Sequence, residues 1–234
     1  MSYKEEFVMK LTNDTMNVLK NFSTINQNIY VKTGNVIETV SKQKNILAKA
    51  TVEENFTDEF GIFDLNNFLT ILTLSKDSSP EIEFQNNDII IKNRAGKSNT
   101  KYRKANKEVL LLPPDKKINM ENAEINFSIS AEDLDWCIKA ASALNSANIA
   151  FVSNGKDISV EVFTAKDDSS NVNTTVIFEG ENKTFKMIFA TENIKFIPGA
   201  YDVTIHSRGI GYFKHKILAL EYWVTTENGS SYGG

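Results

Sequence analysis

One cysteine and two histidines are all that 234 residues offer to thiol or soft-metal chemistry. A lone Cys137 excludes an intrachain disulfide framework and suits a reducing compartment. His206 and His215 have no Cys, Asp or Glu at zinc-ligand spacing, so no metal site is expected. Neither the P-loop pattern nor G-x-G-x-x-G occurs, and Gly209-Ile210-Gly211 reads as a turn between strands; no cofactor is expected. Asp133 and Asp135 point to different helix faces, while Asp167 and Asp168 sit in a polar loop, so neither pair suits a nuclease metal site. Cys137 falls on an apolar helical stripe, where a thiol is structural rather than nucleophilic. These absences leave no catalytic residue to name, and a hydrolase with a hidden site is the weakest of the readings kept.

Long apolar runs are also missing, so no segment reads as a membrane span. The start, Met1 to Val8, carries two glutamates and no apolar core, and does not read as a signal peptide. Basic charge is not in excess: 26 Lys and Arg against 30 Asp and Glu give a net charge of -4. That balance argues against an ordinary nucleic-acid-binding protein unless the positive groups are gathered on one surface.

What is present is a recurring pattern of short amphipathic helices between strand-like runs. The first helix spans about Asn13–Ile25 behind Thr12 or Asn13 as N-cap, with Thr15, Met16, Val18, Leu19 and Phe22 on one side and Asn17, Lys20, Asn21 and Thr24 on the other. A second spans about Leu65–Ser75 behind Asp64, its stripe being Leu65, Phe68, Leu69 and Leu72. The third begins with Ser130 and Asp133 in capping-box spacing and carries Leu134, Cys137, Ile138 and Ala141. A short fourth is expected from Glu192 to Ile197, capped by Thr191 and stopped by Pro198-Gly199.

Turn signals at Lys32–Asn35, Asn86–Asp88 and Ser153–Lys156 separate β-rich runs and indicate antiparallel hairpins. Helix, strands, helix, strands then repeats, a coarse two-fold internal repeat. The fold class is therefore α+β, two similar domains each with two helices packed on antiparallel sheet. Boundaries fall at residues 1–112 and 126–234, joined by a connector over 113–125, with a Gly/Ser-rich tail from about 229 to 234 expected to lack order.

Met9–Asn26, Ile62–Leu74, Ile129–Leu144 with Lys139, Asn193–Lys195 with Pro198-Gly199, and Leu218–Glu221 follow one another in an order that resembles the trimeric DNA sliding clamps of T-even-like bacteriophages. The likeness runs through nearly the whole chain and is densest in its first half. Met1–Val8, Lys92–Lys107 and the tail after Tyr222 depart from it. The resemblance implies the DNA-clamp fold, a homotrimer assembled head to tail into a ring, helices lining the hole, and non-enzymatic tethering of a polymerase. Implied partners are duplex DNA bound without sequence preference, a replicative DNA polymerase, an ATP-dependent clamp loader, and late-transcription factors with RNA polymerase. The implied setting is the cytoplasm of an infected bacterium. A non-encircling phage scaffold or binding protein of the same fold class is the runner-up.

Placed on that frame, Lys20, Lys139 and Lys195 lie on polar helix faces, with Lys10 before the first helix and Lys76 at the end of the second completing a DNA-facing set. A single lysine on a polar face is ordinarily just solvated. The most basic stretch, Lys92 to Lys107, reads as a solvated hairpin, a further DNA contact, or half of a charge-matched subunit contact with Thr174–Glu179 near Asp167 and Asp168. For a partner peptide the candidates are Leu110, Leu111, Leu112 and Pro113 beside the connector, and the pair Tyr222-Trp223. The same leucines also read as the end of a buried strand, and the aromatics as closing a sheet.

Overall fold

A handful of side-chain oxygens decide where the helices begin. The computed structural model describes residues 8–74, 80–93, 97–164, 171–179 and 183–233. Its chain falls into two compact units, one of residues 1–42 and 48–114, the other of residues 43–47 and 115–234.

The first unit runs β1 (Val8–Lys10), α1 (Asn13–Ile25), β2 (Ile29–Val31), β3 (Gly34–Val40), β4 (Ile46–Phe56), β5 (Phe60–Ile62), α2 (Leu65–Leu72), β6 (Glu81–Phe84), β7 (Asp88–Asn93) and β8 (Ser98–Arg103). Thr12 caps α1, its hydroxyl accepting from the Thr15 amide at 3.2 Å. A second cap comes from a distant strand: the buried Glu54 carboxylate of β4 accepts from the Thr12 amide and the Thr15 hydroxyl. A carboxylate there also meets the positive end of the helix dipole. Asp64 caps α2 through the Asn67 amide at 2.9 Å.

Val18, Leu19, Phe22 and Ile25 of α1 are buried, as are Leu65, Phe68, Leu69 and Leu72 of α2, and the two helices touch. The α2 helix stops at Leu72, short of the expected Ser75, where the Thr73 hydroxyl bonds the carbonyls of Leu69 and Thr70. Strands β1-β6-β7-β8 pair antiparallel in that order. Met9, Ile82, Ile89 and Ile91 face the core, while Lys10, Glu83, Asp88 and Lys101 occupy the opposite face by the period of two. Tyr102 of β8 fastens this sheet to α2, its ring 5.1 Å from Phe68 and its hydroxyl donating to the Asp64 carbonyl at 3.0 Å. The turn at Asn86-Asn87 closes β6–β7, but β2 pairs with β5 and not with β3.

The second unit runs β9 (Ile125–Ile129), α3 (Ala131–Ala143), β10 (Asn148–Asn154), β11 (Asp157–Phe163), β12 (Asn173–Glu179), β13 (Thr184–Ala190), a 3-10 turn (Thr191–Asn193), β14 (Tyr201–His206), β15 (Ile210–His215), β16 (Leu220–Thr225) and β17 (Ser231–Tyr232). Ser130 caps α3 by accepting from the Asp133 amide at 3.0 Å. Asp133 does not reach back to the Ser130 amide as a longer Glu would; it accepts from the Ser130 hydroxyl instead, at 2.5 Å. Leu134, Cys137 and Ala141 bury the helix against β10, β11 and β12.

One antiparallel sheet has the order β12-β11-β10-β13-β17, and a second antiparallel run has the order β16-β15-β14-β9. Phenylalanines knit the two together: Phe151 lies 5.0 Å from Phe127 and Phe189 lies 5.7 Å from Phe213. At the hairpin between β10 and β11, Gly155 takes φ +98, a left-handed conformation that glycine adopts without steric cost.

Two expectations are corrected here. The fourth helix is only the 3-10 turn Thr191–Asn193, so the second unit has one α-helix among the described residues and not two. The chain beyond it is held extended by tertiary bonds: the Tyr201 hydroxyl donates to the Ile197 carbonyl, the Ile197 amide donates to the Tyr222 hydroxyl at 3.1 Å, and Phe196 packs 4.6 Å from the Tyr222 ring. Pro198 also biases Ile197 away from helical geometry. The tail forms β17, with Tyr232 paired to Phe185, where no order was expected.

Glu54 supplies the first measurable consequence. Replacing it with Ala leaves the Thr12 amide and the Thr15 hydroxyl proton without their acceptor at the helix start, which costs about 1–3 kcal/mol. The urea midpoint of Glu54→Ala should fall accordingly, and Glu54→Gln, which keeps one oxygen acceptor, should fall less. Equal midpoints for wild type and Glu54→Ala would remove the cap from the account.

Candidate nucleic-acid interface

Packing the apolar stripe of each helix leaves its opposite face for any external contact. On α1 that face carries Asn17, Lys20 and Thr24, all exposed, and the Ser23 and Thr24 hydroxyls turn back to the carbonyls of Lys20 and Asn21. On α2 it carries Asn66, Asn67, Thr70 and Thr73, exposed and uncharged. Together the α1 and α2 faces present amides and hydroxyls around one cation, Lys20, and one carboxylate in the first turn of α1, Asp14.

The α3 face differs. Lys139 is exposed but tied to Asp135, one turn earlier, at 2.6 Å. Exposed pairs of this kind are worth only about 0.3–0.5 kcal/mol, so the lysine can exchange its partner for a phosphate. Glu132 and Trp136 share this outer face, and Trp136 is exposed.

The other lysines of the expected set are placed differently. Lys10 lies on strand β1, not on a helix, and pairs with Glu81 at 3.4 Å. Lys195 follows the 3-10 turn, half-buried and already engaged. Lys76 lies outside the described residues.

The basic stretch is the β7–β8 hairpin and its continuation. Lys92 reaches Glu83 at 2.7 Å, and this bond with the Gln85 amide holds the Glu83 carboxyl below its ordinary range. Lys101 and Arg103 share Asp88 at 3.1 and 3.0 Å. Lys104 donates to the Gln85 carbonyl at 2.6 Å, and Lys107 lies over the Tyr30 ring at 5.0 Å. Tyr30 in turn donates to Glu59, a bond that pushes its phenol up to about 12. Much of the charge in this stretch is thus answered within the unit. Arg94, Asp167 and Asp168 lie outside the described residues.

Leu110 is buried against Gly61 in the first unit, while Leu111, Leu112 and Pro113 are half-buried. Asn28 fixes this stretch by accepting from the Leu111 amide at 3.2 Å. Tyr222 is fully buried and belongs to the core, where its hydroxyl holds Ile197. It is therefore withdrawn from the candidates for a partner surface. Trp223, on the other side of β16, is half-buried with its ring 5.1 Å from that of Tyr212, its indole N–H enclosed without an acceptor among the described residues. The stretch Thr174–Glu179, read from sequence as one half of a subunit contact, falls in β12, an edge strand with Val176 and Phe178 exposed, and Val172 is exposed just before it. Its alternation marks a strand but carries no sign of position within a sheet.

No group of three His, Cys, Asp or Glu among the described residues is placed to hold a metal ion. Burial, and secondly the charge of Asp133, pushes the Cys137 thiol up to about 11. No described helix is long and apolar enough to cross a membrane.

The fold places the chain in the class of DNA clamps. Proliferating Cellular Nuclear Antigen from Entamoeba histolytica superposes with a TM-score of 0.68 over 95% of this chain and 99% of its own, at 13% identity. The PCNA2-PCNA3 complex from Sulfolobus tokodaii gives 0.68 over 94% and 99%, at 10% identity. Sequence then narrows the class. Residues 12–112 match the family of DNA polymerase processivity factors, and residues 126–228 match the gp45 sliding clamp, C terminal. The sliding clamp of Vibrio phage KVP40 is 30% identical over 225 residues, 94% of this chain and 99% of the relative. That of Enterobacteria phage T4 is 31% identical over 206 residues, 86% and 89% respectively. The chain belongs to the sliding clamp family of T4-like phages, DNA polymerase processivity factors. Membership disfavours the scaffold reading.

A buried thiol of raised pKa reacts slowly because the thiolate is the nucleophile. At pH 8 the native protein should leave Cys137 unmodified by an aromatic disulfide reagent over minutes, and release one equivalent in urea. Rapid labelling of the native chain would show the thiol to be accessible.

Proposed function

We propose that three copies of this chain close head to tail around duplex DNA and hold a replicative polymerase at its template. The family match through both units, in order, carries this reading. The helix faces supply its physical basis. A clamp must stay threaded without gripping, and phosphate contacts, which carry no sequence information, add both affinity and salt dependence with each cation. Lys20 on α1 and Lys139 on α3 are the DNA-facing cations. Their amide and hydroxyl neighbours leave each copy with few charges, which favours sliding. Persistence then comes from the closed ring.

Closure joins an edge of one copy to an edge of the next. Heterologous contacts of this kind form rings when the rotation closes. Edge strands placed for this are β8 in the first unit and β12 in the second, of six and seven residues. Bare strand edges are templates for pairing with another chain, and the exposed Val176 and Phe178 favour covering β12.

A polymerase tail peptide docks beside Leu111, Leu112 and Pro113, or against Trp223 and Tyr212. An ATP-driven loader opens and places the ring, the ATP being the loader's. The same partner surface serves late-transcription factors and RNA polymerase, and the setting is the cytoplasm of the infected bacterium.

Two outcomes follow. Lys20→Glu with Lys139→Glu should leave the assembly unchanged by sedimentation and lower processive synthesis on primed circular DNA at least ~10-fold, the size of a lost interaction of ~1.4 kcal/mol. Undiminished synthesis would remove these lysines from the DNA-facing surface. Lys195 is left out because its half-buried side chain would confound charge with folding. In a Trp136→Phe background, titrating the polymerase tail peptide should shift Trp223 emission. A silent Trp223 would confine the peptide to the connector.

A further inference from the structure

Strand β13 is paired unequally on its two sides. On one side β10 matches it residue for residue, from Asn148 against Ala190 to Asn154 against Thr184. On the other, only Phe185 and Lys186 have ladder partners, Tyr232 and Ser231 of β17. Backbone groups of an antiparallel strand alternate in direction, so Thr184, Lys186 and Ile188 present theirs to this second edge. Bonds outside the short ladder complete it. The Thr184 carbonyl accepts from the Gly233 amide at 2.9 Å and the Ile188 carbonyl from the Glu227 amide at 2.7 Å. The Ile188 amide donates to the Ser230 hydroxyl at 3.0 Å.

That hydroxyl stands where a regular strand would offer a carbonyl. The tail leaves strand geometry at Gly229, which takes φ +90, and the Ser230 amide and hydroxyl turn back to the Glu227 carbonyl at 3.3 and 2.8 Å. No residue from Glu227 to Gly233 is buried, and Asn228, Gly229, Ser231 and Gly233 are exposed. A segment with so few buried contacts opens at low cost in free energy. Its seat, by contrast, is partly apolar. Ile188 lies on the sheet face opposite Phe185 and Phe189, with Lys186 and Glu161, and is only 5% exposed. A Cβ at Gly229 would sit 3.5 Å from the Ile188 Cδ1, an ordinary contact for which the tail has no side chain.

A bare edge is a template for another strand, and covering it with a loop is a common protection. Here the cover makes two ladder pairs on a seat five residues long, so a regular strand would pair better. In recognition by strand addition, main-chain bonds supply affinity and alternate side chains supply specificity. The seat defines its occupant: antiparallel to β13, free of proline where it bonds Thr184, Lys186 and Ile188, and apolar over Ile188. Beside Lys186 it takes an uncharged residue, since that ammonium already meets Glu161 at 2.9 Å and the Phe163 ring at 4.5 Å.

We propose that the Thr184–Ile188 edge of β13 is a strand-addition site for an extended segment of a partner protein. The tail from Glu227 to Gly233 is its built-in competitor, which keeps the edge closed until that segment displaces it. Every group involved lies in the second unit, so the proposal does not depend on ring closure.

A chain ending at Thr226 and the full chain, each titrated into one labelled peptide, test this. The peptide has the sequence of residues 227–233 with Gly229→Val and Gly233→Val, which favour a continuous strand. By fluorescence anisotropy the shortened chain should bind it saturably, and the full chain at least ~10-fold more weakly, because a tethered competitor acts at high effective concentration. Ser231→Pro with Gly233→Pro in the full chain, which disrupts the β17 ladder without shortening the tail, should bind like the shortened chain. Far-UV circular dichroism should be unchanged in both, since no tail side chain is buried. In hydrogen exchange, the peptide should protect the Lys186 and Ile188 amides of the shortened chain and leave those of Phe185 and Met187, which face β10, as they were. Equal affinity of shortened and full chains, no saturable binding to either opened form, or protection only elsewhere would overturn the proposal. So would self-association of the shortened chain that the peptide does not reverse, which would make a second copy the occupant.

Discussion

Each helix is held by its apolar stripe, and that single constraint fixes what the protein can show to anything outside it. Burying Phe22, Leu19 and Val18 of α1 turns Lys20 and Asn17 outward; burying Leu134, Cys137 and Ala141 of α3 turns out Lys139, Glu132 and Trp136. Neither outward set could be moved inward without stranding a charge in the core. The character of the exposed surfaces is therefore decided by core packing, and the caps decide where each face begins. Glu54 ties the two together, since it sits on a core strand and starts α1.

Charge is organised locally, which resolves the apparent conflict between a net charge of -4 and a protein that works on DNA. The β7–β8 hairpin looks strongly basic when read along the chain, yet Glu83 and Asp88 on the same face of the sheet answer Lys92, Lys101 and Arg103. These carboxylates come from turns and strands interleaved with the lysines only after pairing. Counting charges in sequence windows therefore overstates the field that a distant phosphate feels. Lys20 escapes this local neutralisation more fully than Lys139, whose partner Asp135 is built into the same helix.

How much was legible follows the same division between local and distant causes. The starts of α1, α2 and α3 were readable because Thr12, Asp64 and Ser130 act within three residues of themselves. The missing fourth helix was not readable, because the hydroxyls of Tyr201 and Tyr222 and the packing of Phe196 decide it from other strands. For the same reason sequence left Tyr222 between a partner surface and the closing of a sheet, and it proved to be core. Strand β17 was hidden because Gly and Ser neighbours mask a pairing that only β13 makes possible. The outward placement of Lys20 and Lys139 was legible from helical period. The capture of Lys10 by Glu81 required strand register, which sequence periodicity does not supply.

A clamp separates two demands that most binding proteins combine. Affinity for its neighbour must be high, so that the closed state persists, and affinity for DNA must be low, so that the closed state travels. The two demands call for opposite surfaces, and this chain has both. Its α1 and α2 faces are rich in Asn and Thr, groups that exchange hydrogen bonds between phosphate and water at little net cost. Val176 and Phe178, apolar side chains left bare on β12, are what a lasting protein contact consumes. If the apolar surface lay on α1 and α2, the duplex would meet groups that water disfavours. If the amides lay on the edge strands, the ring would open as readily as it slides. In the proposed assembly, the distribution of exposed apolar area therefore does more than net charge to make a sliding protein out of an acidic chain.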